Sequence, residues 1–255
     1  MWLSLLGVLA CIAAPVVALD PGPAAADGWR RELLPAAATA PGAEIVAMAG
    51  TRDTLVIAVK AGPVTTILTT VDGIRSWQTV ASPLSEPISA LATRGGTVFV
   101  ATTNLWGHRA LWSSPLNAGQ WDVVSVPGAG AGGVGLVAAD SDRVYASDGA
   151  TLWASPNGRA WSFVVAPGAG IAALEATDDG VLVVPPQGPA RVVRAEGARQ
   201  EGCGAGRRPC LGLPARAEWG ALGLEQVARV VVYHGWLVAL TRERGGAPAL
   251  WRRGS

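Results

Sequence analysis

The residues best suited to bind a ligand combine an aromatic ring with hydrogen-bond donors. Six of them form the candidate binding set: Asn104, Trp106, His108 and Arg109 in one short segment, and Arg242 and Arg244 near the C-terminus. A flat aromatic surface beside amide and guanidinium groups is suited to stacking on a sugar or to holding a peptide segment. The alternative interpretation is that Trp106 covers the edge of a sheet and that the charged groups form a solvated rim.

Paired carboxylates are the second kind of chemistry to consider, because hydrolysis of a glycoside needs two carboxyl groups about 5 to 10 Å apart. Only Glu44 and Glu175 lie beside or within the strands that are predicted below to line the axis of the fold. Most other acids lie in predicted turns, where Asp53, Asp142 and Asp179 have a turn-forming explanation. No pair stands out, so we predict no catalytic residue and keep a secreted glycoside hydrolase as the alternative function.

Thiol, imidazole and glycine motifs indicate structure rather than catalysis. Cys203 and Cys210 are separated by six residues that include two glycines and a proline, so we predict a disulfide between them. The chain has two histidines, too few for a histidine metal cluster, and we predict neither a metal nor a cofactor. The GAGAGG segment from Gly128 has the spacing of a dinucleotide-binding loop, but a strand rather than a helix is predicted after it.

Composition excludes several classes of protein. The chain has 255 residues, of which 50% are hydrophobic and 15% are charged, with 33 glycines and 18 prolines. These values exclude a disordered tail and a coiled coil, which need high charge or a heptad pattern. The formal net charge is +1, so we predict no nucleic-acid partner, because phosphate binding needs a concentrated basic surface.

The N-terminal segment is predicted to direct export. Residues 2–19 are uncharged and almost wholly apolar, and a Pro/Ala-rich stretch follows them. We interpret residues 1–26 as a signal peptide with a short linker, which makes the protein secreted or periplasmic. One alternative is an uncleaved membrane anchor, since 18 apolar residues are at the short end of a membrane span. A second is a lipoprotein signal that ends at Cys11, which the apolar residues 12–19 disfavour because a solvated tether is expected there. In either case the N-terminus is the only predicted contact with a membrane.

Five repeats determine the predicted fold class. Each is an apolar run, a turn and a second apolar run, and they begin near residues 45, 88, 134, 171 and 227. The ninth position of each repeat holds a residue type that favours tight turns: Asp53, Gly96, Asp142, Asp179 and Gly235. A third strand follows each hairpin, and a fourth is predicted to begin near Trp77, Trp121, Trp161 and, more weakly, Trp219. Four short antiparallel strands in about 40 residues are the pattern of a β-propeller blade.

The last repeat lacks a fourth strand, and the missing strand is found at the other end of the sequence. Residues 27–35 read DGWRRELLP, with a Trp followed by a Pro six positions later, as in the stronger fourth strands. We therefore predict one all-β domain, residues 27–255, folded as a five-bladed β-propeller of four-stranded antiparallel blades and closed by its N-terminal strand. A six- or seven-bladed ring is the alternative.

The turns between third and fourth strands resemble the Asp box, Ser/Thr-x-Asp-x-Gly-x-Thr-Trp, of BNR-repeat and sialidase-like proteins. The three segments are TVDGIRSW from Thr70, SPLNAGQW from Ser114 and SPNGRAW from Ser155. In that family the box stabilises the turn, so the resemblance implies structural roles for eight residues: Asp72, Gly73, Trp77, Asn117, Trp121, Asn157, Gly158 and Trp161. It does not imply sialidase activity, because Tyr145 and Tyr233 occupy ordinary apolar positions of the repeat and no Arg-Ile-Pro segment opens the ring.

Chain topology predicts where a ligand would bind. In a four-stranded blade, the loops between second and third strands share one face with the connections between blades, and the candidate binding residues lie in such loops. A propeller offers a rigid platform with variable loops, and its fold alone does not determine its function. We predict an exported, non-enzymatic binding or scaffold module that recognises a carbohydrate or an envelope protein.

Overall fold

The regular secondary structure of the described residues is almost wholly β-strand. The computed structural model describes residues 28–51, 53–80, 84–177, 180–193, 201–202, 227–233, 236–242 and 247–254. The first strand, β1 (Trp29–Glu32), is followed by α1 (Ala36–Thr39), the one α-helix of the described residues. The predicted signal peptide, both cysteines of the predicted disulfide and Arg244 lie outside the described ranges.

The strands form five four-stranded antiparallel sheets, here called blades 1 to 5. Blade 1 contains β2 (Ala43–Gly50), β3 (Leu55–Ala61), β4 (Val64–Thr70) and β5 (Gln78–Val80). Blade 2 contains β6 (Ile88–Arg94), β7 (Thr97–Thr103), β8 (Arg109–Pro115) and β9 (Asp122–Val124). Blade 3 contains β10 (Leu136–Ala139), β11 (Val144–Ser147), β12 (Leu152–Ser155) and β13 (Ser162–Val165).

The last two blades complete the set. Blade 4 contains β14 (Ala173–Thr177), β15 (Gly180–Val184), β16 (Arg191–Val193) and β17 (Glu201–Gly202). Blade 5 contains β18 (Val227–Tyr233), β19 (Trp236–Arg242) and β20 (Pro248–Gly254), with β1 as its outermost strand.

The ring is closed by its N-terminal strand. β1 pairs antiparallel with β20, so the first and the last strands of the described chain lie side by side. The register runs from Trp29 opposite Arg253 to Glu32 opposite Leu250. The predicted five-bladed, all-β propeller, closed in this way, is confirmed.

The sequence forms these sheets because short apolar runs, which are buried along most of their length in strands such as β3 and β11, are separated by turn residues. In three blades the innermost strand has a bulge near its start, at Val46, Ser89 and Ala228. A bulge adds one unpaired residue and increases the local twist of the strand. The repeated bulge therefore bends each of these inner strands at the same level of the ring.

The hydrophobic core lies between blades rather than at one centre. One buried cluster joins blades 5 and 1 and includes Met48, Leu55, Tyr233 and Leu250. Further clusters join blade 1 to blade 2, blade 2 to blade 3 and blade 3 to blade 4. Burial of apolar side chains between these blades stabilises their stacking, because apolar area removed from water contributes about 25 cal/mol per Å².

The fourth strand of blade 4 differs from the prediction. The sequence pattern placed it near Trp219, whereas the structure pairs β17 with β16 through Arg191 opposite Gly202. β16 has three residues and β17 has two, so neither contains enough alternation to be recognised in the sequence. Trp219 lies outside the described residues.

Two faces of the ring follow from the topology. Loops between the second and third strands, and the connections between blades, lie at one end of the strands, here called the upper face. The opposite end of the strands is here called the lower face. It carries the turns between the first and second strands and the turns between the third and fourth strands. Each blade repeats this arrangement because all its neighbouring strands are antiparallel.

Candidate functional site

A short loop on the upper face of blade 2 carries four of the six predicted binding residues. It connects β7 to β8 and is closed by the Asn104 N–H, which donates to the His108 carbonyl at 2.9 Å. The Asn104 side-chain oxygen accepts the N–H groups of Trp106 and His108, both at 2.9 Å. Gly107 takes a positive φ of 79°, which favours glycine at this turn. The loop is therefore held in one conformation by its own backbone and by Asn104.

Arg109 fixes this loop to blade 3. Its N–H donates to the Gly132 carbonyl at 3.0 Å, and its guanidinium Nη1 donates to the Asp148 carbonyl at 2.9 Å. A Cβ at Gly133 would overlap the Arg109 carbonyl group, and one at Gly135 would overlap the Arg109 side chain. The glycines of the 128–135 connection thus allow the close approach of Arg109, which explains this glycine-rich segment without a nucleotide.

The tip of the loop presents two large apolar side chains to solvent. Leu105 is 94% exposed and Trp106 is 85% exposed. His108 beside them is also exposed. A tryptophan and a leucine side by side at the tip of a fixed loop form the most prominent apolar projection of the described upper face.

Arg242 lies elsewhere on the upper face, at the end of β19 in blade 5. Its guanidinium forms an ion pair with the carboxylate of Glu44 in blade 1, and both side chains are about half exposed. The pair borders a shallow cleft of about 230 Å³ between the two blades, which Ala228, Thr241 and Pro248 also line. Blade 1 separates this cleft from the blade 2 loop, so the structure divides the predicted binding set into two separate places.

Glu175, the second candidate acid, lies on the innermost strand of blade 4 and interacts electrostatically with Arg229 on the innermost strand of blade 5. Burial lowers the pKa of the Arg229 guanidinium, and the charge of Glu175 works in the opposite direction. Each of the two acids that the sequence offered for hydrolysis is therefore accompanied by an arginine.

Asp72 organises the turn between β4 and β5 on the lower face. Its Oδ1 accepts the N–H groups of Arg75 and Ser76, both at 3.0 Å, and the Thr70 hydroxyl at 2.8 Å. Its Oδ2 accepts the Ser76 hydroxyl at 2.5 Å. The bond from the Ser76 hydroxyl, with these others, holds the pKa of Asp72 well below its usual range. The carboxylate is thus occupied by the turn itself.

The corresponding turn of blade 3 uses an amide in place of the carboxylate. The Asn157 side-chain oxygen accepts the N–H groups of Arg159 and Ala160, both at 2.9 Å. Gly158 has a φ of 72°, and a Cβ there would overlap the Phe99 ring of blade 2. In blade 2, the Asn117 side chain makes no such bond within the described residues, and the Leu116 N–H donates to Gly96 instead.

The three tryptophans that precede the outermost strands pack between blades. Trp77 packs on the core between blades 5 and 1, and Gly73 of the same turn lies beside the Trp236 ring of blade 5. Trp121 packs on the core between blades 1 and 2, and Trp161 on the core between blades 2 and 3. Their indole rings connect each turn to a neighbouring sheet.

Two further carboxylates organise turns that the sequence reasoning did not single out. The Asp140 Oδ1 accepts the N–H groups of Asp142 and Arg143, and its Oδ2 accepts the Tyr145 hydroxyl at 2.8 Å. Asp148 accepts the N–H groups of Ala150 and Thr151. In such Asx turns the acid accepts the backbone N–H groups two and three residues later, so an acid at the start of a predicted turn is their signal in the sequence.

The hydrogen bonds of Asp148 also reach the connection between blades 2 and 3. Its Oδ2 accepts the Gly130 N–H at 3.3 Å. Burial works to raise the pKa of this carboxyl, but the bonds from Ala150, Thr151 and Gly130 outweigh it and hold the pKa below its ordinary value. Asp148 and Arg109 together fix the upper ends of blades 2 and 3 to each other.

Comparisons with known proteins identify the fold and no family. No family model matches the chain, and no curated protein matches its sequence. A chain of the nidogen/laminin complex superposes with a TM-score of 0.51 at 12% identity, over 84% of this chain and 81% of that one. The chain has the β-propeller fold. Because the identity is low, the likeness supports the fold alone.

YCF48 from Cyanidioschyzon merolae is a second similar structure, with a TM-score of 0.47 and 12% identity over 85% of this chain and 68% of that one. YCF48 bound to D1 peptide superposes with a TM-score of 0.46 and 14% identity, over 88% of this chain and 68% of that one. Since no family model matches the chain, the likeness of the turns to the Asp box rests on the turn residues alone.

Among the described residues, no helix is long and apolar enough to cross a membrane. No three His, Cys, Asp or Glu side chains of the described ranges lie close enough together to hold a metal ion. The chemistry of the described upper face is thus that of an exposed apolar tip, an arginine–glutamate pair and hydrogen-bonded loops.

Proposed function

We propose that this protein is an exported, non-enzymatic binding module that holds an envelope protein against the upper face of its propeller, with Leu105 and Trp106 inserted into the partner. One observation carries the proposal: these two side chains are 94% and 85% exposed at the tip of one loop. Aromatic side chains that become buried on binding are typical anchors of protein interfaces. Export is supported by residues 2–19, which have the pattern of a signal peptide.

The loop is preorganised for such an interaction. Asn104 holds the backbone of Trp106 and His108, and Arg109 fixes the loop to blade 3. A loop that is already ordered loses little conformational entropy when it binds, so more of the contact energy of Trp106 appears as affinity. This rigidity supports a binding function for the exposed tip.

The use of the polar groups around Trp106 favours a protein over a carbohydrate. A sugar site needs hydrogen-bonding groups directed at the ligand beside the aromatic ring. Here the Asn104 oxygen accepts two backbone N–H groups, and the Arg109 guanidinium donates to the Asp148 carbonyl. The largest exposed side chains of the tip are Leu105 and Trp106, with His108 beside them, and their apolar area suits an apolar depression on a protein.

The placement of the acids supports a non-enzymatic role. Glu44 is ion-paired with Arg242, and Glu175 lies near Arg229. A glycoside hydrolase needs two carboxyl groups that converge on one sugar ring, one of which supplies a proton. Since the two acids lie in blades 1 and 4 and each is accompanied by a guanidinium, their arrangement does not favour this chemistry.

Site-specific photo-crosslinking in cells that make the protein tests the proposal. Leu105 is replaced by the photoreactive residue p-benzoylphenylalanine, and irradiation is expected to produce one protein adduct of defined mass. The matched control carries the same residue at Val123, which is 64% exposed on β9 at the side of the ring. The adduct is expected at position 105 only, and Trp106→Ala in the same chain is expected to remove it.

Two results would contradict the proposal. One is the absence of an adduct at position 105, and the other is an equal yield from position 123. A glycan array and hydrolysis assays with the purified protein separate the alternatives. Glycan binding that is lost in Trp106→Ala would assign the tip to a carbohydrate, and turnover of a glycan would assign the protein to the glycoside hydrolases.

A further inference from the structure

The upper face carries a depression as well as a projection. The depression is the cleft of about 230 Å³ between blades 5 and 1, and the projection is the tip of the blade 2 loop, with Leu105 and Trp106. An apolar cavity of about 150 Å³ holds a benzene molecule. The cleft therefore has the volume for the larger indole ring of a tryptophan side chain.

The lining of the cleft suits such a ring. Ile45 and Leu240 contribute buried apolar side chains to it, and Ala43, Ala228 and Pro248 add smaller apolar groups. Ala228 is exposed at the bulge of β18, where its short side chain leaves the cleft open. An aromatic side chain buries about 150 to 250 Å². Insertion of one ring would thus remove a substantial apolar area from water.

The charged rim of the cleft complements the polar groups of the tip. Arg242 and Glu44 stand at the rim, and each side chain is about half exposed although the two are paired. A guanidinium within about 6 Å of an indole ring is attracted to its face. The Glu44 carboxylate is an acceptor for the Trp106 indole N–H or for the exposed His108 imidazole. The rim therefore offers partners to the ring and to its polar neighbour.

The tip and the cleft of one chain are held apart. The loop that carries the tip is bonded to blade 3 through Arg109, whereas the cleft lies beyond blade 1. Both features nevertheless lie on the same face. Two copies that meet with their upper faces across a twofold axis make two equal contacts, tip to cleft and cleft to tip. Such an arrangement closes with two copies and does not extend into a chain.

We propose that, without its envelope partner, the protein is a symmetric dimer in which the tip of each copy occupies the cleft between blades 5 and 1 of the other copy. This rests on the binding role proposed above for the tip, and it names what covers Leu105 and Trp106 before the partner binds. Reciprocal insertion removes both exposed side chains from water. Because one tip serves both interactions, the envelope partner competes with the second copy and dissociates the dimer.

Sedimentation equilibrium of the purified protein at micromolar concentrations tests the proposal. The wild type is expected to sediment with twice the chain mass. Trp106→Ala removes the ring from both contacts of the dimer, and each lost anchor weakens association by about 30-fold, the scale of an interface hot spot. The variant is therefore expected to dimerise roughly 1,000-fold more weakly. Phe163→Ala, which removes an exposed aromatic ring from β13, is expected to dimerise like the wild type.

Mixed variants separate reciprocal insertion from other contacts. Ala228→Arg fills the cleft and leaves the tip intact, whereas Trp106→Ala removes the tip and leaves the cleft intact. Neither variant alone is expected to dimerise. Their equimolar mixture keeps one tip–cleft contact and is expected to form a heterodimer about 30-fold weaker than the wild-type dimer. Denaturant titration checks that both chains fold, and Ala43→Arg, on the blade 1 side of the cleft, gives the same test if Ala228→Arg does not.

Three results would each overturn the dimer: a wild type that stays monomeric, a Trp106→Ala chain that dimerises like the wild type, and a mixture that associates no better than its components. The envelope partner has a separate readout. A monomeric protein whose position 105 is crosslinked in cells to a different protein would contradict the dimer and support the proposed function. A dimer whose position 105 gives only an adduct of twice the chain mass would support reciprocal insertion and contradict the envelope partner.

Discussion

The hydroxyl group of Tyr233 in blade 5 accepts the N–H of Gly73 in blade 1, at 3.0 Å. Tyr233 is fully buried, and its hydroxyl also lies 3.4 Å from the Thr70 carbonyl. Gly73 belongs to the turn that Asp72 organises, so this turn on the lower face is joined to the last blade by a side chain of β18. The boundary between the first and last blades is thus held by this contact as well as by the pairing of β1 with β20.

Replacement of Tyr233 by Phe tests the contribution of this contact. The variant keeps the ring and loses the hydroxyl, which leaves the partly buried Gly73 N–H without its partner. We expect the free energy of unfolding to fall by about 1 to 2 kcal/mol, the cost of a lost buried hydrogen bond. Denaturant titration measures the change, with Tyr145→Phe as a comparison whose hydroxyl bonds to Asp140 within a single blade. A Tyr233→Phe chain as stable as the wild type would contradict the assigned role.

Asp72 is expected to make stability depend on acid pH. Because hydrogen bonds depress its pKa in the folded chain, its contribution is present above the unfolded carboxyl pKa of about 3.9 and is lost as pH falls through the lower folded pKa. Asp72→Asn should therefore have a lower free energy of unfolding than the wild type at neutral pH, and this difference should narrow below about pH 4. Denaturant titrations of the wild type and the variants at several pH values measure these differences in the free energy of unfolding. Asp122→Asn, an exposed substitution on β9, serves as the control. A difference in the free energy of unfolding between the wild type and Asp72→Asn that stays constant with pH would refute the prediction.

The N-terminal strand is expected to be required for folding of the ring. Deletion of residues 27–35 would expose the unpaired edge of β20 and remove Trp29 from the blade 5 core. We expect the shortened chain to lose cooperative thermal unfolding. A synthetic peptide of residues 27–35 added to it should restore the transition, whereas a scrambled peptide should not. Unchanged melting after the deletion would show that closure does not depend on this strand.

The pairing of Cys203 with Cys210 stays a prediction, since both residues lie outside the described ranges. The six residues between them are suited to a small loop, and an exported protein meets an oxidising compartment. We expect no alkylation of either thiol in the native protein before reduction, and alkylation of both after reduction, as read by peptide mass spectrometry. Labelling of Cys203 or Cys210 without a reductant would exclude the disulfide.

The repeat pattern predicts most of the fold because its signal is local. Five hairpins are placed by apolar runs with turn residues at fixed positions between them, such as Asp53 and Gly96. Closure of the ring is predicted by the spacing of Trp29 and Pro35, which matches that of the stronger fourth strands. The outer strand of blade 4 was misplaced because β16 and β17 are too short to show alternation. Local pattern therefore identifies long inner strands better than short outer ones.

The candidate site was less predictable, because its contacts join distant parts of the chain through backbone atoms. Asn104 and Arg109 have the side chains of ligand-binding residues, yet the structure uses Asn104 to hold its own loop and Arg109 to bond the carbonyl groups of Gly132 and Asp148. No residue type in the sequence indicates which backbone carbonyl will accept a guanidinium. Exposure of Trp106 likewise depends on the conformation of the whole loop.

The affinity of the protein captured at position 105 tests the central claim most directly. Trp106→Ala removes the anchor of the proposed interface, and Phe163→Ala removes an aromatic ring that is 66% exposed on β13, at the side of the ring of blades. Calorimetric titration is expected to show binding weakened by at least about 30-fold for Trp106→Ala, corresponding to about 2 kcal/mol, the scale of an interface hot spot. Phe163→Ala is expected to bind like the wild type. Equal affinities of the wild type and Trp106→Ala would contradict the proposal that this protein binds its partner through the loop of blade 2.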